Sequence, residues 1–238
     1  MTMKNSKGFT LVEMLVVIAI ISVLAAALFP AITGALNSAS ATALKQKGRG
    51  IWVAITETNM EREPLNLTAL WPYELNKDDS SVGSATAYFT YLLSDGTTKT
   101  SIADDTNSRV ATDLSPESLI ASGIAAAKSG SAVDAKNLAW GVVVVADSTP
   151  GEIPFLISRN FQAAGGTLAQ VANDTDTGDL KLSDVKPFNT TRAVWVTRGG
   201  GTFDARAKYF TQRQVMGLGS TKAPGKDTTT FDYWETKE

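Results

Sequence analysis

The chain has 238 residues, a formal net charge of −2, and neither histidine nor cysteine. That composition removes the usual general base, the thiol nucleophile, the common zinc ligands and any disulfide framework, so an enzyme is not expected. The mild acidity gives no electrostatic case for nucleic acid as the main partner.

The first element is a short leader, Met1 to Gly8, carrying Lys4 and Lys7. From Phe9 to Phe29 runs an apolar stretch whose only polar members are Thr10, Glu13 and Ser22. At about 1.5 Å per residue this stretch reaches roughly 31 Å, the thickness of a hydrocarbon core. Its apolar residues occupy all sides of a helix, so it reads as a membrane span. No basic residue comes after Lys7 until Lys45, which leaves the amino terminus in the cytoplasm and sends the rest outward. An ionised Glu13 inside such a helix is disfavoured by roughly 2 to 3 kcal/mol, and a partner group is expected to compensate it. A cleavable secretory signal ending at Ala25-Ala26-Ala27 is the blander reading. The length of the run, Glu13 within it and the helical pattern beyond the alanines argue against that.

The stretch Lys7-Gly8-Phe9-Thr10-Leu11-Val12-Glu13-Met14-Leu15 resembles the class III signal of type IV pilins and of the pseudopilins of type II secretion. The resemblance is specific from about Lys7 to Pro30, fair along the rest of the helix, and architectural beyond it. It implies that prepilin peptidase cuts between Gly8 and Phe9 and methylates Phe9 as the new amino terminus. It also implies that Glu13 docks the subunit by pairing with the amino terminus of a neighbour. The implied location is the bacterial inner membrane, single-pass, with a cytoplasmic amino terminus and a periplasmic domain that joins a filament after assembly. Implied partners are other pilin-like subunits, the peptidase, an inner-membrane assembly platform and membrane lipid.

Beyond the span, helical character continues to about Glu63, where Pro64 ends it. Pro30 removes one backbone donor and Gly34 comes a turn later, so a kink is expected there; Gly48 and Gly50 are expected to loosen the helix again. Small residues from Ala31 to Ala43 permit close helix approach. In the variable stretch after Pro64, Ser84 caps a short helix through Tyr88, Phe89 and Leu92. Ser115-Pro116-Glu117 starts another, through Ile120 and Ile124 to a stop near Gly130. Val142 to Val145 reads as a strand covered on both faces, and Ile153, Phe155 and Ile157 continue it after a turn at Ser148 to Gly151. Arg192 to Arg198 and Phe203 to Tyr209 form a second hairpin around Gly199-Gly200-Gly201, with Asp204, Arg206 and Lys208 on its wet face. The tail from Ser220 is polar and loose, with Phe231, Tyr233 and Trp234 able to pin its end.

These elements give an α+β, pilin-like fold: a long N-terminal membrane-spanning helix packed on an antiparallel sheet of about four strands. The expected divisions are 1–8 leader, 9–29 membrane helix, 30–63 outer half of the helix, 64–137 loops and short helices, 138–212 sheet, and 213–238 tail. Gly217-Leu218-Gly219 and the Gly219 to Lys226 stretch fail the dinucleotide and phosphate-loop patterns. The run Asn173 to Asp179 gathers hard oxygen ligands, with Asp174, Asp176 and Asp179 as weak calcium candidates; a solvated acidic loop is the preferred reading. No other cofactor is expected. The function implied is a structural subunit of a type II secretion pseudopilus that promotes protein export, the alternative being a type IV or minor pilin acting in adhesion, motility or DNA uptake.

Overall fold

A computed structural model describes residues 10–121, 125–126, 128–172 and 180–236. The chain divides into two units, Met1–Ala39 and Ser40–Glu238. One helix, α1 (Leu11–Arg62), contributes to both. Within the first unit every described residue from Thr10 to Ala39 is exposed in the isolated chain. The polar side chains there turn back onto their own helix: Ser22 Oγ donates to Ile18 O at 2.7 Å and Thr33 Oγ1 to Pro30 O at 3.0 Å. Such local bonds leave neither hydroxyl unpaired on an apolar surface. The helix runs on through Pro30 and Gly34.

In the second unit α1 buries Ala41, Leu44, Gly48, Ile51, Ala54, Ile55 and Thr58. Steps of three and four keep these residues on one stripe, while the rest of the helix faces water. Burial of Leu44, Ile51 and Ile55 contributes about 1.5–3 kcal/mol each. The stripe packs on an antiparallel sheet of six strands, against the four expected. In chain order the helices α2 (Pro72–Asp78) and α3 (Ala85–Leu93) precede β1 (Trp140–Val143) and β2 (Pro154–Ser158). Then come β3 (Phe161–Gln162), β4 (Thr167–Ala169), β5 (Lys181–Leu182), β6 (Arg192–Thr197), β7 (Thr202–Arg206), α4 (Gln212–Met216) and β8 (Thr230–Trp234). The large sheet has the order β4-β8-β1-β2-β6-β7, and β3 pairs β5 separately.

The extra strands change how the chain ends. β8 lies between β1 and β4, so the segment expected as a loose tail is an interior strand. Its alternation buries Phe231 and Tyr233, two of the three aromatics read as able to pin it. β1 and β2 are buried throughout, as a strand covered on both faces requires. One cover is α1, which Trp140 and Val196 meet at Gly48. The other is a set of aromatic rings: Phe161 contacts Tyr233 at 5.2 Å and Phe210 at 5.6 Å, and Phe210 contacts Trp195 at 5.9 Å.

Three local expectations are corrected. The helix read from Ser115 to Gly130 is a short 3-10 turn, Pro116–Leu119, among the described residues. Its carbonyls are taken by tertiary donors instead of a next helical turn, Ala139 N to Leu119 O at 2.7 Å and Lys47 Nζ to Ile120 O at 2.9 Å. On β7 and just past it, Arg206 and Lys208 are exposed and Ala205 is buried as expected, but Asp204, also expected in water, turns toward α1 and pairs with Lys45 at 2.6 Å and Arg192 at 2.5 Å. Phe203 is instead 48% exposed and stacks on Trp195 at 5.7 Å. Gly48 is a packing contact, not a loosening point, because an added Cβ would lie 2.5 Å from Val196 Cγ2 and 2.8 Å from Trp140. The Ser84 cap is present, its Oγ accepting from Ala87 N at 3.2 Å.

Candidate functional site

The site begins at the first described residue. Thr10 stands one position before α1, where the leading backbone N–H groups of any helix lack intrahelical acceptors. Glu13 N donates to Thr10 Oγ1 at 3.3 Å, while Thr10 N and Thr10 Oγ1 donate to Glu13 Oε2 at 2.8 and 2.7 Å. This is a reciprocal capping box, the Thr-x-x-Glu arrangement in which each residue satisfies an orphan donor of the other. The carboxylate also lies at the positive end of the helix dipole. Two hydrogen bonds and a favourable dipole offset part of the penalty for an acid at the head of an apolar helix. Among the described residues nothing bonds the second oxygen, Oε1, so the carboxylate keeps one face for a further donor.

Beyond Glu13 the helix is greasy and uncovered. Leu11, Ile18, Val23, Phe29 and the other large apolar residues of the first unit are all exposed in the isolated chain. The helix is long and apolar enough to cross a membrane. An exposed surface of that size requires lipid or other protein around it. Capped acid and apolar shaft together form a membrane-length helix with one carboxylate near its start.

Of the residues singled out from the sequence, the structure describes Glu13, Pro30 and Gly34. Glu13 is joined to Thr10, and Pro30 and Gly34 lie within α1, where a Cβ on Gly34 would meet nothing within 4 Å. Gly8 and Phe9, the processing pair, and Asp174, Asp176 and Asp179, the calcium candidates, lie outside the described residues. Among the described residues no group of three acids stands ready to hold a metal ion. The residue that sequence reasoning missed is Thr10. Its signal was present, since a Thr three positions before a Glu at the head of an apolar run is the capping-box pattern.

A second set of polar contacts fastens α1 within the second unit. Besides the Lys45–Asp204 pair, Trp52 Nε1 donates to Arg198 O at 2.6 Å and Arg49 donates to Gly200 O. The Arg49 guanidinium also lies 4.6 Å from the centre of the Trp52 ring. The β6–β7 turn is thus tied to the helix on its polar flank as well as through the core.

Comparison with curated proteins and with solved structures returns no match. Residues 3–29 do match a family model, the prokaryotic N-terminal methylation motif. The matched stretch contains Gly8, Phe9, the Thr10–Glu13 box and the apolar run to Phe29. The chain therefore carries, at the head of a membrane-length helix, the N-terminal methylation signal typical of type IV pilins and pseudopilins.

Proposed function

We propose that the chain is a type IV pilin-like structural subunit, processed at its amino terminus and assembled into a filament, and in the finer reading a subunit of a type II secretion pseudopilus that promotes protein export. The observation that carries this reading is the capped Glu13 at the start of an uncovered apolar helix, inside the matched motif. Prepilin peptidase cuts between Gly8 and Phe9 and leaves a methylated, positively charged terminus on Phe9. That amine is only four residues from Glu13 in the same chain, too near for ideal pairing, whereas a staggered neighbour presents its own amine to the carboxylate oxygen that Thr10 leaves open. An intermolecular pair at membrane depth offsets two desolvation penalties together. Before assembly Thr10 holds the acid, and α1 anchors the subunit in the inner membrane with the second unit in the periplasm.

The test tracks the mature chain in its host. Gly8→Ala is expected to leave the leader attached, seen as a mass increase of the membrane-held protein. Glu13→Ala is expected to yield a processed, methylated protein that stays in the membrane and is lost from sheared filaments. Export of secreted protein should fall with it. A mature terminus downstream of Ala27 would overturn the whole account, and normal export with loss of surface pili would overturn the secretion reading alone.

A further inference from the structure

The second unit is charged unevenly from end to end. Gly200, in the β6–β7 turn, packs on Trp52 and Arg49, whereas Asp204 four residues later meets Lys45. β7 therefore runs back along α1 toward the end of the unit where the chain enters, at Ser40. β6 starts at that same end, with Arg192 opposite Arg206, and Ala207 N donates to Thr191 O at 2.9 Å.

This entry end gathers Lys45, Arg192, Arg206 and Lys208 around a single carboxylate, Asp204. Asp204 is already paired with Lys45 and Arg192, whereas Arg206 and Lys208 are exposed and make no ion pair among the described residues. Tyr209 is 58% exposed, and the Lys208 Nζ lies 5.6 Å from the centre of its ring. The segment before β6 adds one exposed charge of each sign, Asp184 and Lys186. Where α1 ends the balance is reversed: Glu57, Glu61 and Glu63 are exposed and Arg62 is the one cation in that stretch. A chain of net charge −2 thus turns a positive end toward its own point of entry.

Phe29, where the apolar run stops, is eleven positions before Ser40. Even fully extended, that stretch reaches at most about 40 Å. A unit on so short a tether meets the bilayer surface at an effective concentration in the millimolar range, so weak contacts suffice. Anionic headgroups favour each nearby Lys or Arg about fivefold, and tyrosine is at home at headgroup level. Duplex DNA calls for more phosphate contacts than four cations, two of them already paired, supply. The far end of a second copy is acidic too, but only the bilayer is held within reach of every copy, assembled or not.

We propose that the Arg206–Tyr209 corner docks the second unit on anionic phospholipid at the surface of the bilayer that holds α1. The proposal rests on the reading of α1 as a membrane anchor. Docking of this kind holds the unassembled subunit against the membrane and is given up when the subunit leaves for the filament.

The test uses the full chain, which has no cysteine, with Ala207→Cys carrying a fluorophore, in bilayer nanodiscs containing a nitroxide-headgroup lipid. Retention on the discs in gel filtration checks the anchor by itself. Quenching is expected to be strong in discs rich in phosphatidylglycerol, weak in discs of phosphatidylcholine alone, and lost near 1 M salt, where the screening length falls to about 3 Å. Arg206→Gln with Lys208→Gln is expected to lower the docked-to-free ratio about thirtyfold, while Lys77→Gln, on α2, leaves it unchanged. A chain retained on the discs but quenched equally in both lipids overturns the proposal and spares the anchor reading; a chain that leaves the discs overturns both. Quenching that grows with the number of chains per disc gives the corner to a second copy, and loss of quenching on addition of duplex DNA gives it to nucleic acid. Either result overturns the assignment to lipid.

Discussion

Tyr233 occupies space that exists only because its neighbour on β1 has no side chain. A Cβ on Gly141 would collide with the Tyr233 hydroxyl and ring, so a glycine in the middle of a buried strand is filled by an aromatic ring from β8. The hydroxyl is buried with no hydrogen-bond partner among the described residues, and burial pushes its pKa well above the ordinary tyrosine value. A buried polar group without a partner costs more than the packing its oxygen supplies. Tyr233→Phe is therefore expected to raise the stability of the chain by about 1 kcal/mol in a denaturant titration. A loss of that size instead would reveal a bound water serving the hydroxyl. At this scale the sequence was legible where partners are local. Glu13 stood out as an acid in grease, and the cap from Thr10, though missed, had its signal only three positions earlier. Gly141 and Tyr233 are far apart in the chain, and nothing around Gly141 announces that an aromatic ring from the other end fills its place.

The long helix shows two glycines in opposite circumstances. Gly48 faces the sheet, where Val196 and Trp140 fill the position its side chain would take, while Gly34 meets nothing within 4 Å. Intrinsic propensity favours alanine over glycine at both positions by about 1 kcal/mol. At Gly48 the clash with two core side chains outweighs this, because overpacking costs about 1–3 kcal/mol where neighbours cannot move. Gly48→Ala is thus expected to lower the unfolding midpoint of the full chain, and Gly34→Ala to leave it level or raise it. Equal effects of the two would mean that the helix backs away from the sheet without cost. Sequence periodicity located the helix and its end at Pro64, since 3.6-residue spacing and a proline stop are properties of the segment itself. It did not separate Gly34 from Gly48, because both look like helix breakers until the sheet is in place. Strand β8 was hidden for a similar reason. Thr230 to Trp234 is only five residues of alternation in a polar stretch, and it becomes a strand by closing the gap between β1 and β4. Asp204 reads as solvated until Lys45 arrives from α1 to meet it.

The stability of the whole chain integrates carboxylates pulled in opposite directions. Asp79 is half-buried and Asp95 exposed, and both are held below the usual carboxylate value. Asp79 is lowered by hydrogen bonds from Lys99 and then Ser81, and Asp95 is brought to about 2 by bonds chiefly from Thr98 and then Thr97. Their contributions are present above the unfolded value of 3.8 and fade as pH falls through the folded ones. Glu74 behaves oppositely. It is half-buried, accepts from Asp147 N at 3.0 Å through Oε1, and has no partner for Oε2 among the described residues. Burial raises its pKa from the ordinary 4.5, the Asp147 charge adds to the rise, and bonds from Asp147 and the Arg198 charge reduce it. The fold thus binds the Glu74 proton more tightly than the unfolded chain does. Its contribution is complete below the unfolded value and is lost as pH rises through the folded one, so at neutral pH a charged Glu74 burdens the fold. Glu74→Gln removes that charge and keeps an oxygen to accept from Asp147 N. The variant is expected to melt higher than the parent at neutral pH, with the difference shrinking toward zero by about pH 4, where the parent residue is itself protonated. A difference that stays constant across this range would assign the gain to packing and remove the proton from the account.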